Sequence, residues 1–157
     1  MPVAASSIAG ELLQLAFEST HWEPYFNFDA LEVPENVWRR DGFLLWLDQH
    51  HPLKVGLLRM HPYSCYDWHQ DERRGCAVNM LLTGFETSHC VFAPRRDAVV
   101  FSTVELRYSP NVYYLFDTQV AHTVHNFAGF RYLMSVEFAQ DKHQLPYSRL
   151  VATFKPQ

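Results

Sequence analysis

Nine histidines are spread along the 157 residues, so a His close to a carboxylate means little by itself. One spacing has a geometric consequence. In His69-Gln70-Asp71 the two polar residues are two apart, and residues two apart along a strand share a face. An imidazole nitrogen and a carboxylate oxygen on one face can grip one divalent ion. As a bare HxD match this is weak, because about half such a match is expected by chance in a chain this rich in His and Asp. Two polar residues at the end of a surface strand explain it as well.

A metal that activates a small molecule needs a further protein ligand and open positions. Two His with one carboxylate is the set that leaves such positions on Fe(II). The downstream candidates are His89, His122, His125 and His143. His122 and His125 are three apart, so on one strand they face opposite sides and one of them points inward. The stretch from His122 to Arg131 reads as strand, turn at Ala128–Gly129, strand. Such a hairpin brings Arg131 beside the strand of His122, which favours His122 as the ligand. Guanidinium is a planar fork suited to a carboxylate, and an inward arginine requires an anionic partner. A 2-oxoacid would chelate the metal at one end and pair with Arg131 at the other. Ser135, four residues on, shares the Arg131 face and could bond the same group.

These residues need a scaffold that gathers strands around a centre. From Lys54 onward, short runs rich in Val, Leu, Phe and Tyr alternate with turn residues: Val55–Met60, Cys76–Leu82, Cys90–Phe92, Val99–Phe101, Leu106–Tyr108, Val112–Phe116, His122–Asn126 and Arg131–Phe138. That rhythm predicts a mainly β fold. No helical period is interleaved with these strands, so a parallel α/β sheet is not expected. The expected architecture is a double-sheet jelly roll with one or two short N-terminal helices. Ser6 or Ser7 is placed to cap the first helix, which contains Leu12, Leu13, Leu15, Ala16 and Phe17. Val37–Gln49 reads as loop with a short helix. Length predicts one domain over residues 1–157, with its first part, about residues 1–53, helical and loop.

Composition narrows the function classes. Hydrophobic residues make up 48% and aromatics 15% of the chain, which is core-forming rather than disordered. The formal charge is −4, and the arginine pairs at 39–40, 73–74 and 95–96 are isolated. No nucleic-acid partner is expected, since phosphate binding needs clustered Lys and Arg. No apolar run approaches a membrane span. Three cysteines without CxxC spacing argue against a disulfide framework and for a reducing, cytoplasmic setting. A monomer or a homodimer is compatible with the sequence.

Taken as an ordered set, His69-Gln70-Asp71, His122-Thr123-Val124, Arg131 and Ser135 make the chain resemble the Fe(II)/2-oxoglutarate dioxygenase superfamily. The likeness is to its prolyl-hydroxylase and aspartyl/asparaginyl-hydroxylase-like branch. Tyr66-Asp67-Trp68 and Arg74-Gly75-Cys76-Ala77-Val78-Asn79 add to it, and it runs from about Leu57 to Phe138. The resemblance implies a double-stranded β-helix, cupin-like, using Fe(II), 2-oxoglutarate and O₂. It implies His69, Asp71 and His122 as iron ligands and Arg131 as the 2-oxoglutarate anchor, with Asn79 facing the co-substrate. It also implies hydroxylation of an amino-acid side chain in a small molecule or peptide, with 2-oxoglutarate converted to succinate. Some prolyl hydroxylases carry a co-substrate tyrosine where this chain has Leu81 or Leu82, so that contact is either missing or supplied instead by Tyr63 or His61. Phe116, Val124, Phe130 and Leu133 are candidate wall residues. The competing readings are a non-catalytic cupin-like protein that binds metal and a carboxylate, and an interaction protein with no metal.

Overall fold

The computed structural model describes residues 1–96, 99–100 and 102–154, with backbone only at 95–96 and 99–100. In chain order the elements are β1 (Pro2–Ala5), α1 (Ala9–Glu18), β2 (Glu23–Tyr25), β3 (Phe28–Glu32), α2 (Glu35–Trp38), α3 (Gly42–His50), β4 (Leu53–Met60), β5 (Ser64–His69), β6 (Ala77–Leu81), β7 (Ser88–Ala93), β8 (Arg95–Arg96), β9 (Val99–Val100), β10 (Val104–Leu106), β11 (Val112–Phe116), β12 (Ala121–Asn126), β13 (Arg131–Phe138) and α4 (Tyr147–Thr153). Of the expected run Val99–Phe101, Phe101 lies outside the described residues.

Two antiparallel sheets form the body. The major sheet runs β1-β11-β6-β13-β4-β3-β2, and the minor sheet runs β10-β7-β12-β5. From β4 onward the chain crosses repeatedly between them, which gives the jelly roll. Alternation sorts the side chains. Val55 and Leu57 of β4, Met80 of β6 and Met134 of β13 face α1 and α3, where Leu12, Leu44 and Leu47 are buried against them. Met60 of β4 points the other way and meets Cys90 and Val124 of the minor sheet. The inner face of the major sheet therefore looks into a space closed by the minor sheet, and that space holds the site.

The N-terminal part is richer in strands than expected, since β1, β2 and β3 all precede residue 53. Pro24 sits in β2, an edge strand where a missing N–H costs no ladder bond. Three helices, rather than one or two, lie in this region, and α4 adds a fourth near the C-terminus. Ser6 and Ser7 do not cap α1. Both turn to Asp41 Oδ2, and Asp41 Oδ1 accepts from Phe43 N and Leu44 N at the start of α3. A carboxylate is the stronger acceptor, so the buried Asp41 draws the serines away from their own helix.

Candidate active site

His69 and His122 are register partners across β5 and β12. The pairing shifts between this pair and the next, Val124 with Tyr66, so two residues of β5, Asp67 and Trp68, oppose the single Thr123 of β12. The shift is a β-bulge at Asp67–Trp68. Bulges re-aim side chains, and this one matters because Tyr66 and His69 are three apart. In a regular strand they would face opposite sides. Here both face inward, with ring centroids 3.9 Å apart, while Trp68 is left half exposed.

Asp71 lies beyond the end of β5, so strand alternation does not place it. Its N–H donates to Thr118 O at 3.1 Å, and Gln119 Nε2 donates to its carbonyl at 2.7 Å. These bonds turn the carboxylate back towards the two histidines. Oδ1 stands 3.6 Å from His69 Nε2 and 3.9 Å from His122 Nε2. One ligand atom from each of the three residues lies within 4.8 Å of the others, a span one metal ion can bridge with bonds of about 2 Å.

The surrounding bonds orient these ligands. His69 Nδ1 donates to Asp67 O at 2.7 Å, and His122 Nδ1 donates to Val120 O at 2.9 Å. Because carbonyls only accept, each ring keeps its proton on Nδ1 and turns the Nε2 lone pair to the centre. Burial lowers the His122 pKa below its ordinary value, and the nearby His69 lowers it further, against opposing contributions from the Val120 carbonyl and Asp71. That keeps His122 in the neutral form a metal requires. Phe92 stacks on the His122 ring at 5.3 Å, and Phe116 meets it edge-on. Asp71 Oδ2 accepts from Arg74 Nε at 2.7 Å, which leaves Oδ1 as the free ligand atom.

The other expected residues lie on the inner face of the major sheet. Arg131 opens β13 and is 2% exposed. Its Nε donates to Ser88 Oγ at 3.1 Å, and no carboxylate pairs with it among the described residues. Asn79 and Ser135 are register partners on β6 and β13. Ser135 stands about 13 Å along the strand from Arg131, at the Asp71 end, where its Oγ accepts from Arg74 Nη1 at 3.2 Å. Asn79 Oδ1 is buried and has no hydrogen-bond partner among the described residues.

Several other side chains fall elsewhere. His89 faces outward and bonds Glu105 at 2.5 Å, and His125 faces outward beside Thr123 and Cys65. Tyr63 stands on an exposed turn, and His61 bonds Asp29. Phe130 is half exposed and packs against His61 and Arg59, outside the site. Two residues were given no site role from the sequence. Tyr108 packs in the interior cluster; burial, with Cys90 nearby, raises its pKa against the opposing pull of Arg131 and Asn79. The inward phase of Leu106 and Tyr108 in their run was the available signal. Arg74 had no such signal, since its contacts depend on a loop.

No family model matches the chain, and no curated protein matches it in sequence. Solved structures do share its fold. A 2OG-Fe(II) oxygenase family oxidoreductase from Burkholderia pseudomallei superposes with a TM-score of 0.64 at 13% identity, covering 90% of this chain and 81% of that one. EvdO2 from Micromonospora carbonacea var. aurantiaca, complexed with 2-oxoglutarate, gives 0.61 at 13% identity over 94% and 89%. A Pseudomonas putida prolyl-4-hydroxylase gives 0.60 at 14% identity over 85% and 84%. The chain thus has the jelly-roll fold of 2-oxoglutarate/Fe(II) oxygenases.

Proposed function

We propose that this protein is an oxygenase that uses Fe(II), 2-oxoglutarate and O₂ to hydroxylate an amino-acid side chain, free or in a peptide, while 2-oxoglutarate is converted to succinate and CO₂. One conjunction carries the reading. Three metal-ligand atoms converge inside the barrel, and the same interior holds a buried arginine with no carboxylate partner among the described residues. A buried, unpaired charge is costly, and a dicarboxylate that also chelates the metal removes that cost.

The residues fit these groups. His69 and His122 would hold iron through Nε2 and Asp71 through Oδ1. Arg131 would hold the far carboxylate of 2-oxoglutarate, with Asn79 and Tyr108 beside it. Turning the Asn79 amide by half a turn lets its Oδ1 accept from Tyr108 and offers Nδ2 to the ligand, which would satisfy the orphaned oxygen. Bound iron with 2-oxoglutarate supplies the oxidising chemistry. The chain supplies orientation through the two Nδ1–carbonyl bonds, charge pairing through Arg131, and water exclusion through Phe92, Phe116, Val124 and Leu133. Its three free thiols suit a reducing compartment such as the cytoplasm. Among the described residues no helix is long and apolar enough to cross a membrane.

Calorimetric titration of 2-oxoglutarate into the Mn(II)-loaded protein tests the anchor. Arg131→Met should weaken binding by about 30-fold or more, the usual loss for a desolvated charge pair, and leave Mn(II) affinity intact. Unchanged 2-oxoglutarate affinity would refute the assignment.

A further inference from the structure

Next to Arg74, which bonds Asp71, the major sheet carries a cavity of about 230 Å³. Tyr25, Ala30, Leu58, Gly56 and Ser135 line it, together with Arg74, whose Nε bonds Asp71. Gly56 is an inward position of β4, in phase with Leu58 and Met60, and any larger residue there would occupy the cavity. The only neighbour a Cβ would meet within 4 Å is Leu31 O at 3.7 Å, so the backbone does not require glycine.

Arg74 is fixed from behind. Its carbonyl accepts from Thr118 Oγ1 at 2.6 Å and Gln119 Nε2 at 2.8 Å. Gly75 is packed so tightly that a Cβ would stand 2.6 Å from Leu145 O. In front, Nε bonds Asp71 and Nη1 bonds Ser135. Nη2 has no partner among the described residues, and the side chain, 29% exposed, lines the cavity.

Charge balance says what that free edge suits. With both imidazoles neutral, a divalent ion, Asp71, Arg74, Arg131 and a doubly charged 2-oxoacid leave one positive charge unbalanced. A partly buried surplus cation attracts an anion. Glu32, Glu137 and Lys54 also line the cavity, but all three are solvent-exposed, where water and salt screen their charges. We infer that this cavity is the primary-substrate site and takes a compact, carboxylate-bearing molecule whose acid group is held by the outer edge of Arg74. The inference rests on the oxygenase reading.

The test uses 4-methylpentanoate and its primary amide, two probes of equal shape and different charge. Each is titrated into protein saturated with Mn(II) and 2-oxoglutarate, so that Arg131 is already engaged. The wild type should bind the acid about tenfold or more tightly than the amide, the usual margin of a charge-assisted hydrogen bond. Arg74→Gln should erase that preference. Gly56→Leu should abolish binding of both probes while its Mn(II) and 2-oxoglutarate affinities stay at wild-type values. Equal affinity for acid and amide, no binding of the acid, or undiminished binding by Gly56→Leu would each overturn the inference. Failure of the wild type to bind Mn(II) or 2-oxoglutarate would instead remove the oxygenase reading. The acid-over-amide preference, measured then on metal-free protein, still decides whether Arg74 holds a carboxylate.

Discussion

His69 and His122 stand opposite each other across β5 and β12 with ring centroids 4.2 Å apart. Both rings present Nε2 to Asp71 Oδ1. Only the bulge in β5 makes this possible, because it returns His69 to the face that Tyr66 occupies.

The metal-free protein should already hold His122 neutral. Burial lowers its pKa, so its protonated form is disfavoured in the fold. In a histidine-resolved NMR titration of metal-free protein, His122 should titrate below about 6.5, the value of a free histidine. As pH falls through that range, the unfolded chain takes up this proton before the folded one does, so the group favours unfolding in acid. A midpoint at or above 6.5 would show that burial does not control this ring.

Arg131 should weigh on stability in the absence of ligand. An unpaired buried charge is costly, and replacing even a buried ion pair by apolar side chains of similar volume is often neutral or stabilising by about 1–4 kcal/mol. Arg131→Met should therefore raise the melting temperature of the ligand-free protein. In the wild type, saturating Mn(II) and 2-oxoglutarate should close much of that gap, since a ligand at 100 times its Kd adds about 2.7 kcal/mol. A lowered melting temperature in ligand-free Arg131→Met would mean that the guanidinium is already satisfied.

The three thiols should separate cleanly. Burial pushes Cys76 up to about 12 and Cys90 up to about 11. Cys65 is half-buried on the outer side of β5. At pH 8 the thiolate is the reactive form, and a raised pKa leaves almost none of it at the two buried sites. Native protein should take up one equivalent of iodoacetamide, at Cys65, and three after unfolding. Peptide mapping checks the site, and rapid native labelling of Cys76 or Cys90 would contradict their burial.

Gly75→Ala should be costly although glycine's torsional freedom is not needed there. The added Cβ would meet Leu145 O at 2.6 Å and Lys142 Cα at 3.0 Å, both backbone. Overpacking of this kind costs about 1–3 kcal/mol. Because Gly75 adjoins Arg74, Mn(II) affinity should fall as well. Denaturant unfolding and metal titration measure the two effects, and a neutral result in both would show that the C-terminal segment yields easily.

Much of the barrel was legible because its strands alternate strongly: Val112–Phe116 and Arg131–Phe138 have the bounds their residues suggested. The earliest strands were not. Pro2–Ala5 and Glu23–Tyr25 are short and poor in strand-forming residues, and they pair along the two edges of a sheet with strands distant or weak in sequence pattern. α4 hid for a similar reason, being seven residues long with its apolar contacts made far away in sequence. At the site, residue types pointed to His69, Asp71 and His122, but the reason they meet is not a local one. Asp71 is turned inward by Thr118 and Gln119, and His69 by a register shift against β12. Tyr108 could have been found from its phase with Leu106, whereas the contacts of Arg74 depend on loop path, which no spacing rule encodes.

The most direct test of the central claim is succinate release. Protein loaded anaerobically with Fe(II) and 2-oxoglutarate is exposed to O₂, beside His122→Ala treated identically. With no primary substrate or reductant present to complete further turnovers, the wild type should release up to about one equivalent of succinate per bound iron, and the variant none above background. Equal succinate from both, or none from a wild type that binds Fe(II) and 2-oxoglutarate, would contradict it.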